Sequence, residues 1–187
     1  MAKHRKEWNQ YVCVLSNCTK YNGLGFDKKA IEADLKASME YLEIGKENLF
    51  WYNFTETDFP AQATKIRNVL EDLQARISPE VVYTHSLNDR HQDHSTAAWE
   101  TIRAFRDKEN IFCYETPSTL ASFKPNMYEN VDKYIQSKVE ALMKYVTQAE
   151  RTYWRPSLWL AQAEMRGQQA GGGIIFAEAF EVYRLIQ

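Results

Sequence analysis

A chain of 187 residues, 44% apolar and 26% charged, can bury the core of one ordinary globular domain. Its net charge of −2 and pI near 6.1 leave no surplus of cations for phosphates, which excludes a general nucleic-acid or anionic-membrane binder and favours a small polar ligand. No apolar run is long enough to span a bilayer, and the start Met1-Ala2-Lys3-His4-Arg5-Lys6-Glu7 lacks a signal-peptide core; a cytoplasmic protein without a membrane span is expected, its oligomeric state open.

Residues 2–9 are charged and read as the end of a helix, and Tyr11-Val12-Cys13-Val14-Leu15 is a continuous apolar run of buried-strand type. Cys13, Cys18 and Cys113 are odd in number and lack the close pairing of a structural zinc site, so buried reduced thiols are expected. Asn22-Gly23 and Gly25 punctuate a loop, and Asp27 is placed to cap a helix whose face is Ile31, Leu35, Met39 and Leu42 and which Gly45 ends. Leu49-Phe50-Trp51-Tyr52 reads as a second strand. Asp58 and Pro60 suit a helix start; Ile66, Val69, Leu70, Leu73 and Ile77 form its apolar face, and Ser78-Pro79 stops it.

Val81 to Thr84 is the third expected strand, Asp93 or Ser95 to Arg106 the next helix, and Ile111 to Tyr114 the fourth strand. An ordered loop follows from Thr116 to Asn126. Ile135, Val139, Leu142, Met143 and Val146 mark another helical face, and Pro156 begins a further helix around Trp159. Gly171-Gly172-Gly173 breaks it, and Ile174-Ile175-Phe176-Ala177 opens a final strand. The triple glycine follows a helix and precedes a strand, the reverse of a phosphate loop. Trp51, Tyr83, Trp99, Trp154 and Trp159 could stack on sugar faces, core packing being the preferred reading for most of them, and Glu32 with Lys36 is read as a solvated helix pair.

Apolar strands alternating with amphipathic helices predict an α/β domain: one mostly parallel sheet with helices on both faces, over residues 1–187. Ligands of such sheets bind beyond the carboxyl ends of the strands. There the chain places Asn88-Asp89-Arg90-His91-Gln92-Asp93-His94, with two of its four histidines. His91 and His94, three apart at a loop-to-helix junction, can face one side, one to bind a metal and the other to meet a substrate; Asp93 is the natural group to orient His91. The competing reading is a polar loop with a helix cap. Tyr114 and Glu115 end a strand at the same rim, and Arg166 is a candidate for a substrate anion.

The runs Val82 to His94, Phe112-Cys113-Tyr114-Glu115-Thr116-Pro117-Ser118 and Ala177-Glu178-Ala179-Phe180-Glu181 resemble the PIG-L / LmbE-like de-N-acetylases. The resemblance implies a Rossmann-like zinc hydrolase that removes acetyl groups from N-acetylglucosamine-type amino sugars. It implies His94 as a Zn2+ ligand, His91 as the electrophilic or general-acid residue, and Asp93 as its orienting partner. His85, Asn88, Asp89 and Arg90 share that segment and are expected to line the substrate site. The family also carries His-Pro-Asp-Asp-Glu after its first strand, supplying two further ligands and the base. This sequence has no such motif, and Ala2 to Lys6 resembles the end of the helix that follows it, so the first strand is expected to be missing, and with it the base and two of the ligands for the Zn2+ expected of the full-length family. His4 is expected to be a solvated surface histidine. The function expected is a metal-dependent N-deacetylase acting on an amino sugar or sugar conjugate, impaired in this shortened chain. The alternative is a non-catalytic carbohydrate- or nucleotide-binding module.

Overall fold

The computed structural model describes residues 1–17 and 28–186; Cys18, the Asn22-Gly23 and Gly25 loop signals and the Asp27 cap lie outside them. The chain, read from its sequence as one domain, divides into two compact units, residues 1–56 with 129–178 and residues 57–128 with 179–187.

In the first unit β1 (Val12–Val14) pairs in parallel with β2 (Leu49–Trp51), Val12 opposite Leu49 and Val14 opposite Trp51. The connection contains α1 (Lys28–Tyr41). Leu35, Met39 and Leu42, spaced to share one helical face, are buried with Ile44 and Ala141, and Val12, Val14, Leu49 and Trp51 pack against them. Cys13 points away from this cluster and is exposed, which corrects the buried thiol expected there: three-residue β1 alternates instead of being covered on both faces.

The helices α4 (Ile135–Met143) and α5 (Pro156–Ala170) build a second cluster from Val131, Ile135 and Ala163, with Leu160 and Phe176 against it. Met143, the last residue of α4, and Val146, in the short turn beyond it, both predicted on the buried face, are instead 54% and 68% exposed. The buried Asp34 carboxylate accepts from the Thr147 N–H at 2.8 Å and its hydroxyl at 2.6 Å, fixing the short turn beyond α4. His4 is half-buried, not solvated: its ring stacks on Trp8 at 3.9 Å and 11°, and burial holds its pKa below the ordinary value. Gly171, Gly172 and Gly173 all take positive φ (73°, 63° and 78°), a backbone that other residues adopt only under strain, and so end α5.

The second unit carries α2 (Phe59–Ile77), β3 (Val81–His85), α3 (Gln92–Ala104) and β4 (Asn110–Tyr114). Pro60 sits in the first turn of α2, where its missing N–H costs nothing. Ile66, Leu70 and Leu73 are buried as their spacing demands, and Ser78 ends the helix in the left-handed region at φ 50°. β3 and β4 pair in parallel from Val81 opposite Asn110 to His85 opposite Tyr114.

Two strands complete this sheet in the order β3-β4-β6-β5: β5 (Met127–Asn130), hidden in the predicted loop, and β6 (Ala177–Arg184), antiparallel to β4. The division between the units falls within both strands. The sequence predicts one sheet; the strands instead belong to two, β1–β2 forming one parallel pair and β3–β4 the parallel pair of the other. β6 starts three residues later than predicted, after a turn that leaves Ile175 54% exposed. Its far end is anchored by Arg184, whose guanidinium donates to the carbonyl oxygens of Glu109 at 2.8 Å and Arg106 at 2.7 Å.

Candidate active site

The parallel pairing brings the carboxyl ends of β3 and β4 level, so His85 stands beside Tyr114, whose hydroxyl is 3.3 Å from the His85 ring nitrogens. Beyond β3 the chain turns through residues 86–91 into α3. His91 is the N-cap of that helix, its Nδ1 accepting from the Asp93 N–H at 3.2 Å. His94 follows one turn in. Its ring stacks on His85 at 4.3 Å and 22° and on His91 at 4.5 Å and 18°. Three of the four histidines thus form one column. Burial holds the His94 pKa below its ordinary value and drives that of His85, with the help of the neighbouring His94, down to about 3.

A buried carboxylate supports the column. Asp89 Oδ1 accepts from the His91 N–H at 2.8 Å, and Oδ2 from the hydroxyls of Thr116 at 2.7 Å and Thr119 at 3.2 Å. The same Oδ2 lies 3.2 Å from His94 Nδ1, which Ser118 Oγ also meets at 3.1 Å. Burial opposes ionisation of Asp89, yet these donors outweigh it and hold the carboxyl far below the usual carboxylate range. The two segments around it are joined by backbone bonds from Arg90 to Ser118 at 3.2 Å and from Leu120 to Asn88 at 2.8 Å.

Each candidate from the sequence has a place in this arrangement or beside it. His91 and His94 are brought together as stacked rings. Asp93 is buried, and its carboxylate accepts from the backbone N–H groups of Thr57 at 2.5 Å and Phe59 at 3.2 Å, so it caps α2; it meets His91 through its own N–H. Asp89, expected to line the substrate site, has a side chain of 0% exposure and faces inward to His94, which corrects that placement. Asn88 and Arg90 are exposed on the same turn, and Tyr114 and Glu115 stand at the end of β4, the Tyr114 pKa raised by burial. Arg166 belongs to the first unit, on α5, and donates to Gln169 at 2.7 Å. Sequence reasoning gave His85 too little weight and missed the Thr116, Ser118 and Thr119 hydroxyls. Their signal was present: three hydroxyl side chains within four residues, just past a strand that neighbours the histidine strand.

Among the described residues no group of three or more His, Cys, Asp or Glu side chains is arranged to hold a metal ion. Stacking is the reason for the histidines: lone pairs lie in the ring planes, and parallel rings 4.3 Å and 4.5 Å apart do not converge on one ion. No helix among the described residues is long and apolar enough to cross a membrane.

A family model described as PIG-L, GlcNAc-PI de-N-acetylase, matches residues 2–105. The uncharacterized deacetylase YaiS of Escherichia coli (strain K12) is 35% identical over 108 residues, 54% of this chain and 58% of that protein. The chain therefore matches less than two thirds of that relative's length. In structure it is similar to GalB, the 4-carboxy-2-hydroxymuconate hydratase of Pseudomonas putida KT2440, with a TM-score of 0.75 and 19% identity over 100% of this chain and 90% of the other. It is also similar to the N,N′-diacetylchitobiose deacetylase of Pyrococcus horikoshii, with a TM-score of 0.68 and 16% identity over 83% of this chain and 63% of the other. At such identities the two structures speak for a common fold, and a fold hosts more than one chemistry.

Proposed function

Because the chain belongs to the PIG-L family of GlcNAc-PI de-N-acetylases, we propose that its histidine column serves hydrolysis of the N-acetyl group of an amino sugar or sugar conjugate. One observation carries the reading: His91 and His94 stand at the end of a parallel strand pair with both Nδ1 atoms engaged by the protein, which leaves both Nε2 edges for a ligand. Ligands of α/β sheets bind at that rim.

Amide hydrolysis needs a donor at the oxygen that gains charge and a proton for the departing amine. His91, accepting at Nδ1, carries its proton on Nε2 and can donate it as a hydrogen bond to that oxygen, while the departing amine takes its proton from the attacking water. In this reading Asn88 and Arg90, exposed on the turn before His91, and Tyr114 and Glu115, at the end of β4, meet polar groups of the sugar. Zinc, which the family resemblance implies, takes three protein ligands in a catalytic site. His94 offers one nitrogen, and the described residues do not by themselves fit the ion. The chemistry these residues support is hydrogen-bond donation to the oxyanion, so the 187-residue chain is expected to hold zinc weakly and to hydrolyse slowly.

The test is acetate release from N,N′-diacetylchitobiose and N-acetylglucosamine glycosides by the purified chain, with and without added zinc. Slow release that rises with zinc supports the proposal. No acetate from any of these at saturating zinc refutes it and leaves a non-catalytic sugar-binding module.

A further inference from the structure

We propose that the protein locks His91 and His94 in opposite neutral tautomers, His94 with its proton on Nδ1 and His91 with its proton on Nε2, and that Asp89 is the positioning residue for His94. A neutral imidazole has one donor and one acceptor nitrogen, so the partner of one edge decides the other. At His91 the partner is the Asp93 backbone N–H, which can only donate; Nδ1 must be the bare nitrogen. At His94 the partner is Asp89 Oδ2 at 3.2 Å, an ionised carboxylate oxygen that can only accept; Nδ1 must bring the proton.

Neither partner can exchange its role. The Asp89 side chain is fully buried and already receives the His91 N–H and the Thr116 and Thr119 hydroxyls, so every other polar contact it makes is also a donor. Ser118 Oγ, 3.1 Å from His94 Nδ1, has both donor and acceptor capacity and accommodates the same tautomer. The backbone bonds Arg90 to Ser118 and Leu120 to Asn88 hold the two loops together, and the Thr119 hydroxyl accepts from the Thr116 N–H at 2.8 Å. Asp89 also fixes His91 through that residue's backbone, so one carboxylate sets the heights of both rings.

The outcome is a pair of stacked rings, 4.5 Å apart, with unlike outer edges: a bare Nε2 on His94 and an N–H on His91. One edge binds an electrophile or takes a proton while its neighbour donates to an oxygen. This use rests on the proposed amide hydrolysis; the tautomers themselves do not.

The test is NMR of the chain labelled with nitrogen-15 in its histidine rings, at a pH of about 8, where free imidazoles are neutral, with His91→Gln assigning the His91 signals and His94→Gln those of His94. The wild type is expected to show a bare Nε2 and a protonated Nδ1 at His94, and the reverse at His91. Asp89→Asn is expected to give His94 mixed tautomers and to leave His91 unchanged. A proton on Nε2 of both rings in the wild type overturns the proposal, as does an unchanged His94 in folded Asp89→Asn. If that variant does not fold, the wild-type spectrum still decides. No substrate enters the measurement, so a chain with these tautomers that releases no acetate retires the deacetylase reading alone.

Discussion

Gly167 and Gly45 make opposite predictions for one substitution. Gly167 is buried in the last turn of α5, where replacing glycine by alanine would ordinarily gain up to about 1 kcal/mol of helix propensity. A Cβ there would fall on the backbone carbonyl of Ile175 and reach the Ile174 oxygen at 3.0 Å. A carbonyl cannot rotate aside as a side chain does, so the segment after the triple glycine must move away from α5. Forced overpacking costs about 1–3 kcal/mol and occasionally more, and a backbone obstacle belongs at the upper end. The clash outweighs the propensity, and Gly167→Ala is expected to lose on the order of 2 kcal/mol, a fall of about 1 M in urea midpoint at an m-value of about 2 kcal/mol/M. At Gly45 the new methyl would meet the carboxylate end of Glu47, which can swing away, and φ −63°, ψ 151° suits any residue. Gly45→Ala is expected to stay within about 0.5 kcal/mol of the parent. Equal midpoints for the two variants, or a gain for Gly167→Ala, would refute the close approach of α5 and the 174–175 segment.

Asp93→Ala leaves the buried N–H groups at the start of α2 without their carboxylate, and a loss of about 1–2 kcal/mol is expected in urea denaturation. Full stability together with lost deacetylation would instead restore Asp93 to the orienting role predicted from sequence. Glu109 is fully buried. Burial would raise its pKa, but bonds from the Gln74 amide and backbone N–H groups bring it below the ordinary value. A carboxyl depressed in the folded state contributes stability above its unfolded pKa, about 4.3, and loses it as pH falls through the folded value. The stability gap between wild type and Glu109→Gln is therefore expected to narrow as pH falls below about 4; parallel pH profiles would contradict the depressed carboxyl.

Local elements were legible because their causes are local. Spacing alone picks out Leu35 and Met39 in α1, Leu42 just beyond its end, and Ile66, Leu70 and Leu73 in α2, and each is buried. Pro60 and Ser78-Pro79 bound α2 as predicted. β5 was not legible: Met127-Tyr128-Glu129-Asn130 has no strand-like alternation and is recruited by β6, a partner about 50 residues away in sequence. The division into two sheets was hidden for the same reason, since strand pairing is decided by non-local contacts.

At the site, the histidines were found because their residue type is rare and their spacing short. The partners were harder. Asp89 and Asp93 look alike in sequence, both within a few residues of His91, and the assignment of Asp93 as the carboxylate facing a histidine ring follows from proximity along the chain. Three-dimensional packing sends the Asp93 carboxylate to the turn at Thr57 and Phe59, and gives Asp89, flanked by Thr116 and Thr119, to His94.

The most direct measurement is the ratio of kcat/KM for acetate release from an N-acetylglucosamine glycoside by wild type and by His91→Ala, in matched zinc, with the fold of the variant checked by circular dichroism. A hydrogen-bond donor to the oxyanion contributes about 10²–10³-fold, and a loss of that size is predicted. Equal rates in the two proteins would contradict the assignment of the chemistry to the histidine column.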